Sequence, residues 1–180
     1  NLLNEAYGKE IWYSEGSAPC NLSELTVQAD QSGLVGKNSA IDIANRIINS
    51  YYNGKMCMYE FRPAIAANYD GAYDEPKHLI AAQEPWSGFY RLDSGFWMAM
   101  HFSRFSPKGW LFVNGACYGD GEENHAIEHT SHNFMTLVSP DRSEMTMHFT
   151  NEDLFPRTYS VQLKDMGLSL IHISEPTRLR

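Results

Sequence analysis

Glu15 is the residue with the clearest chemical potential. It follows Ile11-Trp12-Tyr13-Ser14 and precedes Gly16. Ile11, Trp12 and Tyr13 form a short apolar run of the kind that makes a buried strand, and Gly16 is expected to release the chain into a loop. Glu15 then stands at the C-terminal edge of a strand. In a barrel of alternating strands and helices, side chains from several strands converge on one mouth at that edge. Position alone is weak ground, because most carboxylates at strand ends are solvated loop residues.

Other groups invite the same question. Glu60 and Glu84 are candidates for a second carboxylate. Glu84 precedes Pro85 in a rigid loop, where a carboxylate more often holds the loop by accepting backbone hydrogen bonds. His125, His129 and His132 are spaced H-x3-H-x2-H, a pattern that suggests zinc. Gly, Asn, Glu and Thr surround them without a helix to align them, so solvated loop histidines are expected there and no metal. His101, on an apolar helical stretch, is expected to be a hydrogen-bonded core histidine. Cys20, Cys57 and Cys117 are odd in number and lack CxxC spacing, which argues against a cysteine metal site. One disulfide plus a free thiol fits them, as does a partner elsewhere.

The elements that must position these groups can be read from the chain's patterning. With 180 residues and 43% hydrophobic content, the chain is long enough for one sizeable core or parts of two. Ser39 and Asp42 mark a helix start, Ile41, Ala44, Ile47, Ile48 and Tyr51 repeat at helical spacing, and Gly54 stops it. Lys55 to Phe61 is a second strand, which completes the strand-helix-strand unit of a parallel barrel. Residues 16–38 form a long loop, and 70–76 have turn chemistry. His78 to Ala82 is a short extended piece, and Gly95 to Phe105 a largely buried helix that ends at Ser106-Pro107-Lys108-Gly109. Beyond residue 109 the period changes to two. Trp110–Val113, Phe134–Ser139 and Glu144–Phe149 are strands, the last two joined by a turn at Pro140-Asp141-Arg142-Ser143, and Thr158–Leu163 alternates again. The fold class expected is α/β plus all-β, with an antiparallel second part.

Composition narrows the partners. A net charge of −8 argues against nucleic acid, which favours a basic face. Aromatics make up 13% of the chain. Trp and Tyr faces stack on sugar rings, although most such residues serve as core packing. No membrane-spanning run or signal peptide is visible. The chain starts at Asn1 rather than Met, so the true start is expected to lie upstream. Asn21-Leu22-Ser23 is a glycosylation acceptor triplet, which has meaning only in a secreted or lysosomal protein.

A resemblance adds to this reading. Lys9-x-Ile11-Trp12-x-Ser14-Glu15 is followed by Gln83-Glu84-Pro85-Trp86-Ser87-Gly88-Phe89-Tyr90, then by Phe96-Trp97-Met98-Ala99-Met100-His101 and by Phe105-Ser106-Pro107-Lys108-Gly109-Trp110. In order and spacing these resemble the galactocerebrosidase (galactosylceramidase) family of retaining glycoside hydrolases, over roughly residues 8 to 160. The resemblance implies the C-terminal portion of a (β/α)8 TIM barrel over 1–108 and the start of a β-sandwich over 109–167. Residues 168–180 resemble instead a translated sequencing adapter and are set aside.

Retaining glycosidases use two carboxyl groups about 5 Å apart. By resemblance, Glu15 is the nucleophile on the seventh barrel strand. The acid/base Glu lies upstream on the fourth strand, at no position of this chain, so the 180-residue piece alone is expected to be inactive. Pairing of Glu15 with Glu84 across a cleft is the alternative within the chain. At the last barrel strand the family carries a Trp-Asn pair lining the galactose pocket, where an ungapped alignment puts Arg62-Pro63. Arg62, Tyr59 or Phe61 is then expected against the sugar, together with Tyr73, one position out of register, and Trp86. The substrate implied is galactosylceramide or a related terminal β-galactoside, met in a lysosomal or secreted setting. No metal or organic cofactor is expected, and a lipid-presenting protein is an expected partner. Two other readings stand beside this one: a non-catalytic carbohydrate-binding protein of the same fold, and a glycosidase of a different β-glycan.

Overall fold

The structure, a computed structural model, describes residues 2–17, 40–67, 78–82, 84–119, 133–151 and 156–162. The short helix α1 (Leu2–Tyr7) leads into β1 (Ile11–Ser17), which pairs in parallel with β2 (Met56–Arg62) across helix α2 (Ala40–Tyr52). A strand followed by a helix and a parallel strand is what the hydrophobic spacing of residues 11–61 calls for. β1 runs on through Gly16 and Ser17, so Glu15 lies inside the strand rather than at its last residue.

Helix α2 is the central packing element. Ala44, Ile47 and Ile48 join Phe102, Cys117, Met135 and Leu137 in one buried cluster, with Tyr59 and Phe61 packed against it. Ile43 and Leu79 form a second. Each fully buried isoleucine contributes about 2 kcal/mol of apolar transfer free energy. Two polar residues of α2 are also buried. Asp42 is ion-paired with Arg46 at 2.8 Å one turn on, and Asn45 accepts from Asn133 Nδ2 at 2.9 Å and from Thr150 Oγ1 at 2.6 Å. The core therefore runs across residue 108 and ties the parallel unit to the C-terminal strands.

A second small sheet is formed by β3 (Ile65–Ala66), β4 (Ile80–Ala81) and β5 (Arg91–Leu92), in that order. The buried pair His78 and Asp93 fastens it, with Nε2 and Oδ2 2.5 Å apart, and Asp93 also accepts from Arg91 Nε at 3.1 Å. Burial alone would raise the Asp93 carboxyl, but the donors from His78 and Arg91 outweigh it and hold the carboxyl below its ordinary range.

Helix α3 (Ser94–Phe105) departs from the sequence expectation of a largely buried helix. Among the described residues it buries only Gly95 and Phe102, while Trp97 is 61% exposed and Met100 lies open beside it. Its apolar residues surround the helix, but only one side meets α2 and the strands. The third sheet is antiparallel, β6 (Leu111–Phe112), β7 (Phe134–Val138) and β8 (Met145–Phe149). Residues 156–162 form no strand. Tyr159 docks there through its side chain instead, its hydroxyl donating to the Thr150 carbonyl at 3.1 Å and its ring lying 4.7 Å from that of Phe149.

His148 of β8 is stacked on Phe102 at 4.6 Å, bonded to Ser106 Oγ at 2.9 Å and 5.3 Å from the His101 ring. Among the described residues, His101 itself meets the rings of Phe102, Phe105 and His148 rather than the hydrogen-bond partner expected from the sequence. Burial, and then the neighbouring His101, push His148 down to about 4. A histidine depressed in this way stabilises the fold fully above its unfolded value near 6.5, and the contribution is lost as pH falls toward 4. Over that window the native state is expected to lose on the order of 2 kcal/mol through this site. His148→Phe, which keeps the stack on Phe102, should flatten the slope of urea-unfolding free energy between pH 6.5 and 4. An unaltered slope would place the acid sensitivity elsewhere.

Candidate active site

Glu15 and Arg62 meet near the C-terminal ends of the two parallel strands. Arg62 Nη1 lies 2.8 Å from Glu15 Oε1, with the side chains 57% and 64% exposed respectively. The ladder between the strands is irregular at this point. Tyr13 stands opposite Tyr59 and Gly16 opposite Phe61, so Ser14 and Glu15 together face the single residue Glu60, a bulge in β1. The carboxylate ends on the open face of the pair, beside a guanidinium complementary to its ionised form.

Three of the residues expected against a sugar are thus within one strand, but not on one face. Arg62 shares the Glu15 face. Tyr59 and Phe61 are half-buried against the core under α2, their rings 5.0 Å apart. The Tyr59 ring is also stacked on Tyr13 at 4.8 Å, and burial raises its hydroxyl to about 12, with Tyr13 contributing next. It is a packed neutral phenol. Tyr73 and the histidine triplet His125, His129 and His132 lie outside the described residues, as does Cys20. Among the described residues, no group of three or more His, Cys, Asp or Glu could hold a metal ion.

The Glu84–Tyr90 bend forms a tight turn around Pro85–Ser87. Ser87 donates through both its backbone N–H (2.9 Å) and its Oγ (2.7 Å) to the Glu84 carbonyl, and Gly88 closes the turn with φ of 77°. Among the described residues, Glu84 therefore holds the loop with its main-chain oxygen and not, as the sequence suggested, with its carboxylate. Beneath the bend is an apolar recess of about 350 Å³ lined by Ile65, Ile80, Ala82, Pro85, Gly88, Phe89 and Tyr90. Neither Glu15, Arg62 nor Trp86 lines it, and Trp86 projects from the turn at 82% exposure. The bend closes on β3 and β4, whereas Glu15 is turned out over β1 and β2.

The sequence singled out Glu15 and Arg62, which the structure brings together, but not what sets their geometry. The bulge and the Gly16–Tyr59 contact belong to strand pairing, and the one local signal for them is a glycine directly after the carboxylate. Asn45, Asn133 and Thr150 gave no local signal at all.

Comparison with known proteins bears on what this arrangement does. Galactocerebrosidase of Danio rerio is 36% identical over 81 residues, 44% of this chain and 12% of that protein. The Homo sapiens and Mus musculus galactocerebrosidases are 29% and 27% identical over 146 residues, 74% of this chain and 19% of each relative. The chain thus spans less than a fifth of the length of these curated relatives. The family model described as glycosyl hydrolase family 59 matches residues 2–104, which include β1, α2, β2, the bend and nearly all of α3. That span is more than half of the chain and carries Glu15 and Arg62 alike: the chain belongs to glycosyl hydrolase family 59.

Proposed function

We propose that the full-length protein is a retaining β-galactosidase-type glycoside hydrolase acting on galactosylceramide or a related terminal β-galactoside, with Glu15 as its nucleophile. The observation that carries this reading is the Glu15–Arg62 pair near the C-terminal ends of adjacent parallel strands, within the segment matched by the family. In this reading residues 1–108 are the C-terminal part of a (β/α)8 barrel and 109–167 the start of a β-sandwich, while 168–180 are adapter-derived. Strand ends of such a barrel supply the catalytic groups.

The mechanism needs no cofactor. A Glu15 oxygen attacks the anomeric carbon while a second carboxyl group, contributed from outside this stretch, gives its proton to the departing oxygen. The same second group then takes a proton from water as water attacks the glycosyl ester, which frees Glu15 and retains the β configuration. Arg62 faces the carboxylate and has further N–H donors available for sugar hydroxyls. Tyr73 and Trp86 are the aromatic candidates for the sugar face. A glycolipid substrate would call for a lipid-presenting protein in a lysosomal or secreted setting.

Hydrolysis of a chromogenic β-galactoside and of galactosylceramide by the full-length protein tests this, with the product's first-formed anomer followed by NMR. The β anomer is expected. A first-formed α anomer would rule out retention, turnover of another β-glycan alone would replace the substrate, and sugar binding without turnover would make the protein a binder. The 180-residue chain alone is expected to be inactive on the same substrate.

A further inference from the structure

Successive side chains alternate between the faces of a strand, so one extra residue moves every later side chain to the opposite face. Tyr59 and Phe61 pack against the core under α2. In an unbroken ladder continuing from Tyr13–Tyr59, Glu15 would stand opposite Phe61 and face that same core. The extra residue of the β1 bulge puts Gly16 there instead, buried, and leaves Glu15 on the open face with Arg62.

The seat of the bulge is specific. A Cβ built at Gly16 would lie 2.7 Å from Tyr59 Cε1 and 2.9 Å from both Cζ and Oη, closer than real Cβ atoms come. Tyr59 has little room to yield, since its ring is stacked on Tyr13 within 12° of parallel and tilted against Phe61 with centroids 5.0 Å apart. The tyrosine ring occupies the space a side chain at position 16 would need, and the bare glycine lets β1 settle onto it. Bulges next to active sites commonly re-aim a side chain.

We propose that this bulge, seated by the Tyr59 ring beneath Gly16, is the device that delivers the Glu15 carboxylate to its reacting face, and that Gly16 and Tyr59 are positioning residues for the reaction. The proposal deepens the reading of Glu15 as nucleophile and rests on it. It also gives Tyr59 a different task from the sugar contact suggested by sequence. Its ring supports the strand from the core side, and the sugar is left to groups on the Arg62 face.

The test uses the full-length protein and a chromogenic β-galactoside, with kcat and KM measured for Gly16→Ala, Tyr59→Leu, the double variant and Glu15→Gln. Gly16→Ala should lower kcat by about 100-fold, the scale expected when a reacting group is displaced by an ångström, while KM changes little. Leucine lacks the Cε1, Cζ and Oη atoms that crowd position 16. The double variant should therefore regain at least about tenfold in kcat over Gly16→Ala, a coupling that independent sites would not show. Wild-type kcat in Gly16→Ala, a loss confined to KM, or a double variant no better than the single would each overturn the proposal. If Gly16→Ala fails to fold, a folded and active double variant is the expected result, and a double variant that also fails would count against it. Glu15→Gln separates the two layers. Activity lost in Glu15→Gln with Gly16→Ala indifferent sinks this inference alone, whereas an active Glu15→Gln removes the nucleophile assignment beneath it.

Discussion

Glu15→Gln in the full-length protein is expected to lower kcat by about 10⁴-fold or more while leaving the unfolding midpoint where it was. Gln keeps the shape of the side chain but offers a neutral amide oxygen in place of the carboxylate that must bond to the anomeric carbon. Stability should barely respond, because both members of the Glu15–Arg62 pair are more than half exposed and exposed ion pairs contribute little. Paired measurements of kcat and thermal midpoint check this directly. A variant that lost activity only because it had unfolded would point to a structural role, and one that kept activity would end the assignment.

Asn45→Ala is expected to have the largest effect on stability, about 3 kcal/mol. Asn45 is fully buried, and its Oδ1 accepts from both Asn133 Nδ2 and Thr150 Oγ1. Truncation removes the acceptor that these two buried donors share, leaving Thr150 Oγ1 only the longer contact to the Asn133 carbonyl at 3.2 Å, and weakening a buried polar network carries a desolvation cost. Asn133 and Thr150 flank β7 and β8, so the same substitution loosens the C-terminal strands from α2. Urea unfolding followed by far-UV circular dichroism and tryptophan fluorescence reads both effects. The two signals should coincide in the wild type, with a lower midpoint in the variant. A midpoint shift smaller than that of an exposed control such as Ser103→Ala would show that the network contributes nothing.

The part of the fold legible in the sequence was the part written in local periodicity. Helix α2 is announced by the spacing of Ala44, Ile47 and Ile48, and observed Ala40–Tyr52 lies within a residue of the expected span. The turn at Pro140–Ser143 and its flanking strands were equally readable, since alternation and turn residues occur together there; Asp141 Oδ1 accepts from the Ser139 and Ser143 hydroxyls and Arg142 takes a positive φ. The two-residue strands β3 and β5 are too short to alternate. Asp42 was legible as a first-turn charge, but its burial against Arg46 was not. Asn45 finds its partners 88 and 105 residues away, which no window along the chain can show. At the candidate site, Glu15 stood out in the sequence through its strand and its motif. Its orientation was not, because that depends on how β1 is registered against β2 and on the tyrosine ring that fills the gap below Gly16.

Covalent trapping would capture the bond that the Glu15 carboxylate is proposed to form with the sugar. With a 2-deoxy-2-fluoro-β-galactosyl fluoride, attack by the nucleophile expels fluoride, and the 2-fluoro group slows release by destabilising the oxocarbenium-like transition state. Peptide mapping of the inactivated full-length protein by mass spectrometry is predicted to place a single fluorogalactosyl group on Glu15. A label on another carboxylate, or none on a protein that continues to hydrolyse β-galactosides, would contradict it.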